Sequence, residues 1–411
     1  MASPALAETR YVRVGRLVDV TAGKVLTNRC ITIVGERIKA IGKCGRAPKA
    51  AEVIDWRGYT VLPGLIDLHT HLADVEQSAD LAAPLKTSPA QTLVIGAANA
   101  KATLMAGFTT VRDVGTYRGL ADVALRDAIN QGRTPGPRMF VAGAYITIPG
   151  GGGELNGVMP NDQLPADMRL GVVRSAGDAR KAAEFLISKG ADQLKLIATG
   201  AVLAVGTEPG TLELSEEQMR AAVRVATRRG TYATAHAHGA EGIKTAIRSG
   251  VRSIEHASLI DDEGLALAKA KGAWLVMDIY NGDYIEEVGT REGWQAEYLR
   301  KNRETTDVQR AGFAKAVKRG VRLGYGTDAG VYPHGQNARQ FAYMVKYGLT
   351  PMQAIQSATI HAAELMRKTG DIGSLTPGRY ADLIAVEDDP LANVRALENV
   401  AHVIKGGRVI R

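Results

Sequence analysis

The sequence predicts an α/β protein: a (β/α)8 TIM-like barrel with a small β-sandwich domain formed by both chain ends. Three observations carry this. Between residues 63 and 365, eight short apolar runs alternate with helical patterns, as parallel βα units closed into a barrel require. Residues 8–62 and 366–411 carry short β-type runs separated by turns, so the two ends read as one composite sandwich. Polar residues suited to chemistry fall at the carboxyl ends of several of the eight runs, the face where barrel sites are built.

Taken in order, the amino-terminal runs are Tyr11-Val12-Arg13-Val14, Ile31-Thr32-Ile33-Val34, Ile38-Lys39-Ala40-Ile41 and Val53-Ile54-Asp55, with a turn at Gly35-Glu36-Arg37. The barrel strands are expected near 61–69, 108–113, 138–142, 192–197, 231–236, 252–256, 273–277 and 321–326. Helical periodicity lies between most of them, as at 178–189, 215–229 and 304–319. Residues 381–386, 400–404 and 409–410 complete the sandwich. The stretches 144–170 and 280–303 are longer than ordinary connections and read as active-site loops. The run Pro149-Gly150-Gly151-Gly152-Gly153 is expected to be the most flexible, with glycines that leave room for a bulky substrate.

Composition narrows the function. At 45% hydrophobic and 23% charged residues the chain has an ordinary globular mix. No apolar run approaches the roughly 18 residues of a membrane span. The net charge of +8 (51 Lys and Arg against 43 Asp and Glu) is scattered, with no basic run, and aromatics are 5%. That excludes a nucleic-acid platform and leaves a mildly basic enzyme surface. Cys30 and Cys44 form at most one bridge, and two unrelated thiols are the favoured reading. Ala5-Leu6-Ala7 fits either the remnant of a removed export signal or a disordered Ala-rich tail, so periplasmic, secreted and cytoplasmic locations all stay open.

Eight histidines are few for 411 residues, and their positions are informative. His69 and His71 end the first barrel strand two residues apart, so both side chains point one way and can grip one cation. Lys195 lies inside the apolar run Asp192-Gln193-Leu194-Lys195-Leu196-Ile197, where an ammonium is costly unless paired or modified. A salt bridge, a Schiff base and a carbamate bridging two metals are its three readings. His236 and His238 end the fifth strand, His256 the sixth, and Asp328 the eighth. Chance does not readily place so many such groups on one face, and together they point to a metal site. His238 is either a third ligand or a contact to substrate or transition state, and the contact is favoured. His334 reads as substrate-loop material, His361 as helix packing, and His402 as a structural residue of the terminal β unit.

Several segments carry a resemblance to the amidohydrolase superfamily: GLIDLHTHL at 64–72, AGFTTVRDVG at 106–115, QLKLIATGAV at 193–202, AHAHG at 235–239, SIEHAS at 253–258, GYGTDAG at 324–330 and PGRYADLIAVEDDPL at 377–391. The chain is most similar to the imidazolonepropionase-like branch, which includes prolidase-like and carboxypeptidase-like dipeptidases and amidohydrolases that hydrolyse ochratoxin A. The resemblance makes residues 63–365 a metal-dependent hydrolase barrel. It implies two divalent ions, Zn²⁺ first among them given the nitrogen and carboxylate donors. His69, His71 and Asp328 would hold the more buried ion, His236 and His256 the second, and a carbamate on Lys195 would bridge them. It further implies a metal-activated hydroxide attacking an amide, with Asp328 and His238 as the catalytic side chains. The substrate would be a small amide or peptide, and the assembly a homo-oligomer, octamers being found among relatives.

One departure limits the substrate. Relatives often carry a Gly-Gly-His-Gly motif after the third strand, thought to help hold a substrate carboxylate, where this chain has glycines alone at 150–153. Tyr145, Glu154 and Tyr332 are candidate wall residues instead, and Arg339 a candidate anion partner. The sequence reading is therefore cleavage of an amide to a carboxy-terminal amino acid: a dipeptide, an N-acyl amino acid, or ochratoxin A, which would release phenylalanine. A cyclic-amide hydrolase or deaminase is the nearest alternative, and those mononuclear relatives generally lack the fourth-strand lysine. A metal-free scaffold would lack ligands that are all present here, and a Schiff-base lyase has no use for the surrounding histidines.

Overall fold

A computed structural model of the chain describes residues 8–411; the Ala5-Leu6-Ala7 segment lies outside them. The amino-terminal strands are β1 (Thr9–Asp19), β2 (Lys24–Val34), β3 (Arg37–Lys43) and β4 (Glu52–Pro63). The barrel follows with β5 (Leu65–Thr70), β6 (Phe108–Asp113), β7 (Arg138–Phe140), β8 (Tyr145–Ile146), β9 (Leu194–Ile197), β10 (Ala233–Ala237), β11 (Ser253–His256), β12 (Trp274–Val276) and β13 (Arg322–Gly324). The chain closes with β14 (Leu383–Val386), β15 (Val400–Lys405) and β16 (Arg408–Val409).

Both ends build one seven-stranded sheet in the order β16-β15-β14-β4-β1-β2-β3. It curls over its own core, since Ala381 N donates to Glu36 O and Gly407 packs on Gly35. That core gathers Val12, Ile31, Trp56, Leu383 and Ile404 from strands far apart in sequence. His402 stacks on Trp56 with ring centres 5.4 Å apart. Strand β4 starts in this sheet, and Gly64 links it directly to β5, so the small domain carries the first barrel strand.

Every neighbouring pair along the barrel is parallel. The third position is split: β7 pairs with β6, β8 pairs with β9, and Val141 O between them accepts from Asp192 N. The ring closes where Leu68 N donates to Tyr325 O and Asp328 N to His69 O. The core strands are buried on both faces, which explains why they read as continuous apolar runs rather than alternating ones. Capping boxes at Ser88/Gln91, Ser215/Gln218 and Thr350/Gln353 satisfy the first amides of three helices. Among the described residues no helix is long and apolar enough to cross a membrane.

Two expectations are corrected. The stretch 280–303 is not a loop: it forms the helix Asn281–Glu292 and the start of the helix Ala296–Arg319. Ile285, Val288 and Trp294 give these segments a buried side that packs against Tyr332, which the polar residues between them obscure. The two cysteines are not unrelated thiols but a disulfide. In the β2–β3 hairpin Cys30 pairs with Gly42, so Cys44, just past the end of β3, comes back beside it with the Cα atoms 4.9 Å apart. The bridge spans 14 residues, for which loop-closure entropy gives about 3 kcal/mol. Cys30→Ser is expected to shift the denaturation midpoint accordingly and to leave metal content unchanged.

Candidate active site

The barrel places its polar groups at one end. His69 lies on β5 and His71 directly after it, and the backbone bond from Asp328 N to His69 O brings the segment after β13 alongside. Asp328 Oδ1 lies 3.3 Å from His69 Nε2 and 3.2 Å from His71 Nε2. His69 Nε2 is buried and has no hydrogen-bond partner. Ligands bound tetrahedrally at about 2.1 Å stand about 3.4 Å apart, so Asp328 Oδ1 stands at ligand spacing from each of the two histidine nitrogens. His69, His256 and Asp328 form one group with ligand atoms within 4.8 Å of one another, and His236, His238 and His256 form a second. His256 belongs to both, which sets two candidate sites side by side.

Partners on the outer nitrogens orient the rings. His69 Nδ1 meets Glu255 Oε2 at 3.0 Å, His71 Nδ1 meets Gly115 O at 2.7 Å, and His256 Nδ1 meets Asp278 Oδ1 at 2.9 Å. Those oxygens accept, so each Nδ1 carries the proton and each Nε2 turns a lone pair inward. His236 is reversed: its Nε2 faces Gly200 O at 3.2 Å, leaving Nδ1 as the inward donor atom. His238 Nδ1 lies 2.8 Å from Ser258 Oγ, a hydroxyl able to donate or accept. If Ser258 donates, His238 presents an N–H to the cavity; if it accepts, His238 presents a lone pair.

Charge and burial suit this donor set. Burial first, then neighbouring His256, holds His236 and His238 well below the ordinary histidine pKa, so both are neutral near pH 7. Lys195 is 2% exposed, and burial brings its ammonium down to about 8 against the opposing pull of Glu255 and Asp328. Among the described residues no carboxylate oxygen lies within 4.0 Å of its Nζ, which removes the salt-bridge reading. Burial opposes ionisation of Asp328, but His69 and then His71 outweigh it and hold the carboxyl well below the usual range. Glu255 is likewise opposed by burial and is held ionised by the Arg112 guanidinium at 2.7 Å, then by His69. His256 and Asp328 adopt φ of 68° and 57°, a left-handed conformation uncommon for side-chain-bearing residues and concentrated at functional sites.

These groups open on a cavity of about 1010 Å³, part of it open to solvent. It brings together His69, His71, Lys195, His236, His238, His256, Asp328 and Tyr145. Tyr145 Oη reaches His71 Nδ1 at 3.0 Å. The other four substrate-side candidates lie elsewhere. Glu154 is buried and braces its own loop, accepting from Gly150 N and Asn161 Nδ2 at 2.7 Å each. Tyr332 packs edge-on against Tyr280 at 5.1 Å, behind the wall. His334 is buried near His71 with neither ring nitrogen hydrogen-bonded, and burial pushes it down to about 3. Arg339 is exposed and donates to Tyr280 Oη at 2.9 Å. Of the Lys and Arg side chains among the described residues, Lys195 alone lines the cavity. His361 is half-buried in the helix Ile360–Leu365 and packs near Trp274.

Sequence reasoning did not single out Glu255, Arg112 and Asp278, which hold the histidines, or Asp74 and Asn281. The glycine run also departs from expectation. A Cβ on Gly153 would stand 2.8 Å from Ile197 Cγ1 and 3.1 Å from Tyr145 Cβ, and one on Gly152 3.0 Å from Ala201 N. These glycines allow close packing against β9 rather than opening space; only Gly150, at φ +71°, faces open space. Gly153→Ala is expected to cost about 1–3 kcal/mol by overpacking and to lower kcat/KM through a displaced Tyr145, read by denaturation and steady-state kinetics.

A closed parallel barrel with a histidine-rich cluster at its strand ends, open to one cavity, sets donor atoms for a metal ion beside room for a small substrate. The chain belongs to the Amidohydrolase family, whose sequence profile matches residues 60–410, and it is an enzyme acting on amide bonds. It is 29% identical to the ochratoxinase of Aspergillus niger over 95% of this chain and 83% of that protein. A crystal structure of an Xaa-Pro dipeptidase with methionine bound in its active site superposes with a TM-score of 0.92 at 35% identity, covering 98% of this chain and 100% of the other. An adenine deaminase of Rubrobacter xylanophilus is 28% identical over 98% of this chain but only 59% of its own length.

Proposed function

We propose that this protein is a binuclear metal-dependent amidohydrolase that cleaves the amide bond to a carboxy-terminal amino acid, as in a dipeptide, an N-acyl amino acid or ochratoxin A. The observation that carries the reading is the pair of donor groups sharing His256, with the Lys195 amine on the same cavity and no carboxylate beside it. His69, His71 and Asp328 would hold one ion, His236 and His256 the other, and carbamylated Lys195 would join both. The neutral amine is the form that adds carbon dioxide, and burial makes it accessible near neutral pH. Bound divalent ions supply Lewis acidity to polarise the amide carbonyl and acidify water, and Zn²⁺ suits the donors best.

The chain's own residues do the rest. Asp328 turns Oδ1 to the two histidines and Oδ2 to Asn281 Nδ2 at 3.3 Å, leaving Oδ2 to take a proton from the attacking water and return it to the leaving nitrogen. An N–H at His238 Nε2, set by Ser258, would hydrogen-bond the oxygen of the attacked carbonyl. With Lys195 in the metal set, uncharged wall donors are left to receive the substrate carboxylate.

The test is a hydrolysis screen of the Zn²⁺-loaded enzyme with dipeptides, N-acyl amino acids and ochratoxin A, each with its carboxylate free or capped as an amide, alongside ring amides and adenine. Release of free amino acid from the uncapped compounds is the expected result. Turnover of ring amides or adenine alone would transfer the reading to the cyclic-amide hydrolase or deaminase. Turnover of capped compounds alone would end the carboxy-terminal reading.

A further inference from the structure

The main cavity continues past its wall. A second, smaller cavity of about 450 Å³, part of it open to solvent, lies beside it, and Val75, Gln77, Tyr117 and Leu203 line both. Tyr117 stands between them on a fixed support. Its backbone N donates to Asp74 Oδ1 at 3.1 Å, Thr116 Oγ1 donates to the same carboxylate at 2.8 Å, and its ring packs edge-on against Tyr145 at 5.6 Å. Tyr117 also packs against the apolar cluster of Leu155, Leu164 and Met168. The outer cavity itself is lined by Leu81, Leu155, Val205 and Tyr298, by the polar Gln77, Ser78 and Asn156, and by the acids Glu76, Asp80 and Glu154, with no Lys or Arg among the described residues.

We propose that the outer cavity is an extension of the substrate site for an uncharged, flexible apolar substituent threaded past Tyr117, and that the Tyr117 ring sets the length accepted. This rests on the amide-hydrolase reading of the main cavity. The hydrocarbon part of the lining, from Val75, Leu81, Leu155, Leu203 and Val205, favours methylenes, each buried one being worth about three- to fourfold in affinity. The acids with no basic counterpart disfavour a substituent that ends in a carboxylate. A ring held at its backbone and packed against Tyr145 and the Leu155 cluster resists displacement, so it acts as a partition rather than a loose flap.

The test uses the metal-loaded protein and reduced-amide analogues, whose CH2–NH link is not hydrolysed, with binding read by calorimetry. One series lengthens the acyl side from two to eight carbons; the other lengthens the amine side over the same range. Affinity in the wild type is expected to rise with length along one series and then stop. Tyr117→Ala should move that stop outward and tighten the longest analogue about tenfold, Leu203→Trp should move it inward, and Tyr117→Phe should keep it in place. A terminal carboxylate on the chain should weaken binding about tenfold. The same length limit in all four proteins on both series, with short analogues still bound, overturns the proposal. Shifted limits without hydrolysis of any matching amide keep the extension and end the hydrolytic reading; hydrolysis without shifted limits does the reverse.

Discussion

Lys195→Ala is expected to lower bound metal from about two ions per chain to about one and to cut kcat about a thousandfold, some 4 kcal/mol of transition-state stabilisation. The loss would follow from removing the carbamate that, in the proposed site, joins the two donor sets. Lys195 is buried and without a carboxylate partner, so its removal leaves no unpaired ion behind, and the fold should hold. Elemental analysis and kinetics on the same preparation separate the two effects. Two further readouts bear on the carbamate. Reloading the stripped wild type with Zn²⁺ should be faster with bicarbonate present, because the amine brought down to about 8 must add carbon dioxide before it can ligate. Short carboxylic acids should partly restore Lys195→Ala by filling the vacated position. A variant that keeps two ions and full activity, with no effect of bicarbonate, would rule out the bridging role and favour a mononuclear site.

Arg112→Met should destabilise the protein by about 3–5 kcal/mol, since it strands Glu255 as a buried, uncompensated carboxylate. Both side chains are fully buried, and Arg112 also donates to Leu68 O and to Ser253 Oγ at 2.8 Å. The sign of the pH dependence follows from Glu255. Its pKa is depressed in the folded protein, so its contribution is present above the unfolded value of about 4.3 and is lost as pH falls below it. In the variant, burial acts without Arg112 to oppose it, so that contribution shrinks at neutral pH and the wild type's excess stability should narrow toward acid. Denaturant midpoints measured between about pH 2 and 7 check this. Arg112→Met with Glu255→Met should recover part of the stability. It should not recover activity, because His69 Nδ1 then lacks the carboxylate that fixes its ring. Recovery of both would mean the pair has no role in orienting the ligand.

Glu255 shows why the orienting groups were not legible. In a regular strand, neighbours point to opposite faces, so His256 as an inward residue argues against Glu255 as another. His256 adopts φ of 68° and ends the regular part of β11, so both side chains are buried at the site. The cysteine pair had a signal that went unused: once the hairpin turn at residues 35–36 is placed, the register returns Cys44 to Cys30. The helix starting at Asn281 had a weaker one, because Ile285, Val288 and Trp294 mark a buried side only when the surface they meet is known.

The eight barrel positions and the groups at their ends were determined by sequence alone. Strands buried on both faces must be apolar, and a His, Lys or Asp inside or at the end of such a run has one available place, the carboxyl end of the barrel. Only the tertiary structure decided the walls. Glu154, Tyr332, His334 and Arg339 belong to connections whose side chains turn toward whatever their own segments pack against, and none of the four lines the main cavity. Tyr117 and Gly153 owe their places to a carboxylate at Asp74 and a side chain at Ile197, contacts between segments more than forty residues apart that exist only after the barrel has closed.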